Sequence, residues 1–273
     1  MSARWLGVAL VCGTLPYAQA RLAAQASNAS ITIDARDFSF ELPERVPAGV
    51  TAFTFQNHGE QPHSIRFLRI ADGHTFDDFT SWQKTGGAPP EWLEPSGGIA
   101  PIVPKASERY TTTLKAGIYV VLCTYPADNR QTHVDKGMVA RLQVDAAPAG
   151  TTKAPAEADI TLRMRDHGYQ LTAPVSGGHP VWHLQNIGTE PHQAMLIRLP
   201  DGASEYTERT WLSSGGRGSR VGIPSGGVIE LPAGADAWFE IELPPGRYIL
   251  LCNELEEEGR HFDLGMVYRF QIE

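Results

Sequence analysis

The sequence predicts an all-β chain built as two Greek-key β-sandwich domains in tandem, each with one short helix, and three observations lead there. The 273 residues include 27 Gly and 20 Pro, and the apolar segments between these turn formers have the length of strands rather than helices. Fractions of 42% hydrophobic and 20% charged residues are those of a globular chain and exclude wholesale disorder. The chain also matches itself at an offset of 129 residues, with Asn57/Asn186, Pro62/Pro191, His63/His192, Arg69/Arg198, Trp82/Trp211, Tyr119/Tyr248 and Cys123/Cys252 among the identities. After a one-residue deletion the match resumes at His133/His261, Gly137/Gly265 and Met138/Met266. A repeat of this size is a whole domain, because solenoid repeats are far shorter.

Residues 1–26 stand apart. Arg4 precedes a short apolar run over 5–18, and the sites Ala18-Gln19-Ala20 and Ala24-Gln25-Ala26 follow, the pattern of a cleaved secretory signal peptide. Export to the periplasm or the medium is therefore expected. No run of about 18 uninterrupted apolar residues occurs, so stable membrane insertion is not expected.

Domain 1 is expected over 27–145 and domain 2 over 159–273, with the Ala-, Pro- and Thr-rich segment 146–158 as linker. Alternating or continuous apolar runs place strands in the first half at 31–33, 38–40, 51–55, 64–70, 110–114, 119–123 and 138–144. The second half repeats the scheme at 160–162, 181–184, 194–199, 238–243, 248–252 and 266–272. One helix per half is expected at 76–83 and 205–212, entered through Thr75 and Ser204 as caps. Trp82 and Trp211 read as packing anchors. The Gly-Gly pairs beginning at Gly86, Gly97, Gly177, Gly215 and Gly226 read as turns.

Four chemistry-bearing residues recur in a fixed order in both halves: His63, Cys123, His133 and Met138, then His192, Cys252, His261 and Met266. Two imidazoles, a thiolate and a thioether are the donor set of a mononuclear blue-copper site, a trigonal His2Cys plane with a weak axial Met. The first histidine comes from an upstream strand and the other three ligands from one loop between the last two strands. A disulfide between Cys123 and Cys252 would require equivalent loops of two domains to meet, and would abolish both thiolates.

These segments resemble the cupredoxin family, and the resemblance covers both halves. Asn57-His58-Gly59-Glu60-Gln61-Pro62-His63 and Asn186-Ile187-Gly188-Thr189-Glu190-Pro191-His192 are similar to the N-x-G-x-x-P-H stretch that carries the first histidine of plastocyanin-like proteins. Cys123-x9-His133-x4-Met138 and Cys252-x8-His261-x4-Met266 resemble the family's ligand loop. The Cys-to-His gap is longer than in plastocyanin or azurin and closer to that of copper nitrite reductases. The resemblance implies two type 1 copper ions per chain. It also implies that Asn57 and Asn186 brace the first-ligand segment against the cysteine loop by hydrogen bonds.

Other classes are poorly served. The net charge of −8 becomes about −10 once residues 1–26 are removed, which argues against nucleic acid as partner. Multicopper oxidases and nitrite reductases carry His-x-His pairs and a histidine beside the type 1 cysteine. Here Leu122 and Thr124 flank Cys123, Leu251 and Asn253 flank Cys252, and no His-x-His occurs. His58, His74 and His167 read as scattered surface residues. The expected function is exported single-electron transfer between redox partner proteins, with no enzymatic turnover. The rivals are a copper-sequestering or delivery protein and, behind it, a two-domain oxidase or nitrite reductase. The second ligand loop is acidic through Glu254, Glu256, Glu257 and Glu258, which suits a basic electron donor and a lower second potential.

Overall fold

Strand alternation decides which side chains are buried. In β4 (Gly49–Asn57) and β5 (His63–Ile70) the apolar residues Phe53, Phe55, Ile65 and Phe67 point to one side and are fully buried. Phe53 meets Phe67 across the space between two sheets, with ring centroids 5.2 Å apart. The computed structural model describes residues 30–127, 130–146 and 157–273. The expected signal peptide, residue Asp128 and most of the expected linker lie outside the described residues.

The chain is mostly β, in two large facing sheets. One sheet has the spatial order β11 (Gly168–Leu171), β10 (Ile160–Arg165), β12 (Val181–Asn186), β15 (Asp236–Ile241), β7 (Ser107–Leu114), β4, β1 (Ile31–Arg36) and β2 (Ser39–Glu41). The other runs β19 (Val267–Ile272), β16 (Gly246–Leu251), β13 (His192–Leu199), β14 (Ile223–Leu231), β6 (Leu93–Ile102), β5, β8 (Gly117–Leu122), β9 (Val139–Asp145) and β3 (Arg45–Pro47). Both sheets therefore run through both halves of the repeat. β7 pairs antiparallel with β15, and β6 with β14, so the repeats stack edge to edge and share one core.

The seam strands β6 and β14 differ from expectation. Pro95, Gly97, Gly98 and Pro101 make β6 read as turn, and Gly226-Gly227 does the same for β14, yet both glycine pairs lie inside strands. The physical reason is close backbone approach. A Cβ on Gly98 would stand 2.1 Å from the Ile65 carbonyl oxygen, and one on Gly227 2.0 Å from that of Ala194. The register shifts of β5 against β6 and of β13 against β14 fall beside these residues, so the pairs mark bulges rather than turns.

The two helices lie where capping chemistry puts them. α1 (Phe76–Thr85) opens with a capping box, the Asp78 amide donating to Thr75 Oγ1 at 3.2 Å and the Thr75 amide to the Asp78 carboxylate at 2.7 Å. It buries Phe79 against Leu68, Ile70 and Val120 on the outer face of the sheet. α2 (Glu205–Ser213) uses Ser204 as its cap and buries Trp211 and Leu212 against Met195, Ile197 and Leu251.

Two carboxyl groups are buried at the seam. Glu108 of β7 accepts a hydrogen bond from the Gly227 amide of β14 at 3.0 Å, and Glu230 of β14 lies 3.0 Å from Arg66 Nε of β5. Burial raises both above the ordinary carboxyl range, and for Glu230 it outweighs the attraction of Arg66 and leaves the group at about 7. Glu230 thus binds its proton more tightly folded than unfolded. Its contribution is fully present below about pH 4.3 and is lost as the pH rises towards 7. Glu230→Gln is expected to remove a slope worth a few kcal/mol between those limits. Denaturant titrations of both proteins across that range check this, and parallel pH profiles would contradict it.

Candidate metal centres

The first centre is assembled from one strand and one loop. His63 opens β5 after a turn held by Asn57, whose side-chain amide donates to the carbonyls of Gln61 at 2.9 Å and Ile102 at 3.0 Å. Asn57 Oδ1 accepts from the Gly59 amide at 2.9 Å. This corrects the expected brace: Asn57 ties the His63 turn to itself and to β6, not to the cysteine loop. The link to that loop is the Ser64 amide, which donates to Cys123 Sγ at 3.3 Å.

Cys123 follows β8 directly, and the loop after it closes on its own backbone. The Cys123 amide donates to the Met138 carbonyl at 3.2 Å, that of Val134 to the Cys123 carbonyl at 2.8 Å, and that of His133 to Tyr125 at 2.9 Å. Gly137, with φ 98°, supplies the left-handed residue that lets Met138 double back. Met138 is fully buried in the core cluster that holds Cys123, and its amide donates to the His133 carbonyl at 2.9 Å.

The donors converge. His63 Nδ1 and His133 Nδ1 are 2.9 Å apart, and Cys123 Sγ is 3.5 Å from His133 Nδ1. His63 Nε2 donates to Asp37 at 2.9 Å, so in the neutral ring the inward Nδ1 carries a lone pair. Burial lowers both histidines, His133 to about 4, so the rings are neutral at pH 7. Burial pushes the Cys123 thiol up, so a metal must displace its proton. Two imidazole lone pairs and a sulfur that already accepts a backbone N–H fit a soft or borderline metal.

The second centre repeats this frame. Asn186 donates to Glu190 and Leu231 at 2.7 and 2.8 Å, and the Gln193 amide donates to Cys252 Sγ at 3.2 Å. His192 Nδ1 lies 3.2 Å from His261 Nδ1, Cys252 Sγ lies 3.4 Å from His261 Nδ1, and His192 Nε2 donates to Asp166 at 3.0 Å. Met266 is buried, with backbone bonds to Cys252 and His261 at 3.2 and 2.8 Å. Burial pushes the Cys252 thiol up to about 12. Six of the eight expected ligands thus converge in two buried His-Cys-His clusters, both of these cysteines are free, and Met138 and Met266 are buried with backbone bonds to the cysteine and histidine of their own cluster. A cavity of about 300 Å³ opens in the seam, lined by Ser64, Thr124 and Tyr125 near the first centre and by Gln193, Asn253 and Arg260 near the second.

Sequence reasoning missed Asp37 and Asp166. Both lie at the offset of 129, so the self-comparison held the signal, but carboxylates are common enough to pass unnoticed. His167 is exposed, as expected, but it is not scattered: its ring meets that of His261 edge to face at 5.4 Å, and its Nε2 is 2.5 Å from Glu256. His167, Glu256 and His261 form a third group of converging donors, which the search for His-x-His pairs could not find.

An aspartate behind a ligand histidine fixes ring and tautomer, and losing such a partner typically costs 10–100-fold in affinity. Asp37→Ala is expected to weaken copper(I) at the first centre by about that factor and leave the second unchanged. Competition against a chelator in single-centre variants reads this. Unchanged first-centre affinity would show that the aspartate does not orient His63.

Among the described residues no helix is long and apolar enough to cross a membrane. No family model and no curated protein matches the chain. Solved structures with similarity include a dithionite-reduced auracyanin from Roseiflexus castenholzii, 26% identical over 43% of this chain and 95% of that one, at a TM-score of 0.30. Auracyanin A, a "blue" copper protein from Chloroflexus aurantiacus, is 17% identical over 44% of this chain and all of its own, at 0.30. A copper nitrite reductase from Nitrosomonas europaea is 15% identical over 90% of this chain and 94% of that one, at 0.26.

Proposed function

We propose that the chain is an exported electron carrier with one type 1 copper centre in each half, the halves being Greek-key sandwiches over 27–145 and 159–273. The observation that supports it is the buried convergence, twice over, of two inward imidazole nitrogens on one cysteine sulfur. Copper held there supplies one-electron exchange between Cu(I) and Cu(II). His63, Cys123, His133 and Met138 would hold one ion, and His192, Cys252, His261 and Met266 the other. The chain's own part is rigidity. Asp37 and Asp166 hold the first histidines, the Ser64 and Gln193 amides hold the sulfurs, and the closed loops keep the remaining ligands in place, so little reorganises when an electron moves. His133 and His261, carried on the ligand loops, would offer the exit paths.

Two outcomes test this reading. The oxidised protein is expected to absorb intensely in the visible and to hold two copper ions per chain, with Cys123→Ser removing about half of each. A colourless copper-loaded protein, or sustained turnover of oxygen or nitrite by homogeneous protein, would overturn the carrier assignment.

The second outcome concerns inequality of the centres. The His133 ring is faced by Phe38 and Tyr125 and by the neutral Gln61, whereas His261 faces Glu190 and Glu256. Glu257 and Glu258 stand exposed on the same loop. Negative charge favours Cu(II), and at ~10 Å in water one charge is worth about 0.4 kcal/mol, or ~20 mV. The second potential is expected to lie some tens of millivolts below the first after screening. A basic donor is expected to dock there more slowly as salt rises. Potentiometry on single-centre variants, repeated with Glu256, Glu257 and Glu258 changed to Gln, measures the shift. A second potential at or above the first, or one indifferent to the changes, would refute it.

A further inference from the structure

We propose that the second half carries a further metal position on the outer side of His261, formed by His167 Nε2, the Glu256 and Glu190 carboxylates and His261 Nε2, and suited to a borderline divalent cation, zinc or copper(II). The proposal rests on the copper reading only in assigning His261 Nδ1 to the buried centre.

The donors are already gathered. His261 Nε2 lies 3.4 Å from Glu190 Oε2 and 3.9 Å from Glu256 Oε2, and His167 Nε2 lies 2.5 Å from Glu256 Oε1. The ligand atoms of His167, Glu256 and His261 all fall within 4.8 Å of one another. A tetrahedral ion with bonds of about 2.0–2.1 Å separates its ligand atoms by ~3.3 Å, close to the spacing around His261 Nε2. That spacing is long for an N–H···O hydrogen bond. The His261 side chain is only 2% exposed, so the ring cannot turn this atom to solvent.

The first half shows that the arrangement is not a by-product of the fold. At the positions of His167 and Glu190 it carries Phe38 and Gln61. Phe38 and His167 share the same left-handed backbone, φ 66° and 62°, so the exchange alters the donor and not the frame. Two imidazoles and two carboxylates favour zinc or copper(II) over calcium or magnesium, which take all-oxygen shells of higher number. The two carboxylates balance the charge of the ion. On binding, the ion takes the place of the Nε2 protons of both rings: that of His261 passes to solvent, and that of His167, which faces the Glu256 carboxylate, is exchanged through solvent for one on Nδ1 of the same ring, which stays neutral. No electron moves.

Zinc is the probe. The full chain is first loaded with copper, and its copper content and visible band are recorded. Zinc chloride is then added, the protein is desalted, and both metals are counted. One zinc per chain beyond the copper is expected, with the copper count unchanged and the second centre's visible band shifted. Excess calcium is expected not to displace the zinc. The double variant His167→Phe, Glu190→Gln, which copies the first half, is expected to weaken zinc binding at least ~10-fold while keeping its copper. No retained zinc, zinc displaced by calcium, or equal retention by the double variant would overturn the proposal. Copper content is read before zinc is added, so failure of the copper reading is seen separately. In that event the same zinc count on Cys123→Ser, Cys252→Ser chains, with and without the double variant, still decides the rim position.

Discussion

Two strand pairings between the halves of the chain, β6 with β14 and β7 with β15, fix where everything else can be. Ile99 pairs with Val228 and Tyr110 with Phe239, and each pair consists of residues 129 apart. Equivalent residues facing one another mark a two-fold relation, as in an isologous dimer interface. The pairing also removes the edge strands that each half would otherwise expose. A further consequence is the placement of the centres. His63 pairs with Ile102, and Ile102 faces Ser225, whereas His192 pairs with Leu231 at the far end of β14. The two centres therefore sit towards opposite ends of one shared sheet, each closed by its own loop.

What the sequence disclosed follows from how directly a residue type reports its role. The candidate ligands were legible because His, Cys and Met recurring in order have few other joint explanations, and Thr75 and Ser204 announce helices because a cap is a local interaction. The seam strands were illegible for the opposite reason. Gly98 and Gly227 are required by a neighbouring strand's carbonyl, a tertiary cause that leaves only a turn-like composition behind. The continuity of the sheets was hidden likewise, since no local pattern says whether an edge strand will be left free. Asn57 was identified correctly as a brace but assigned the wrong anchor, because its partner Ile102 belongs to a strand that did not read as one.

The buried glutamates show the same seam at work on energetics. Glu108 and Glu230 have no acidic counterparts at the equivalent positions Ala237 and Pro101. They are departures from symmetry in a two-fold interface, placed where a carboxyl must either keep its proton or find a donor. Glu108 finds the Gly227 amide and Glu230 lies against Arg66, so each ties one half to the other. A buried polar group of this kind adds little net stability but penalises alternative registers, in which it would lose its partner.

The two nitrogens of a histidine explain which parts of the centres stay alike and which diverge. In all four candidate ligand rings Nδ1 is the nitrogen that faces the other buried donors. Behind His63 and His192 the outer nitrogen is also enclosed, since both side chains are fully buried, and an enclosed N–H needs an acceptor. Asp37 and Asp166 meet that need identically. Behind His133 and His261 the outer nitrogens are enclosed too, but their partners differ: Gln61 Oε1 lies 3.3 Å from His133 Nε2, and Glu190 Oε2 lies 3.4 Å from His261 Nε2. Phe38 packs against the core and meets the His133 ring edge to face, and His167 at the matching position meets the His261 ring in the same way, so one frame holds either Phe38 and Gln61 or His167 and Glu190. The outer faces of His133 and His261 are thus one place where the halves differ in chemistry, a neutral amide on one side and carboxylates on the other.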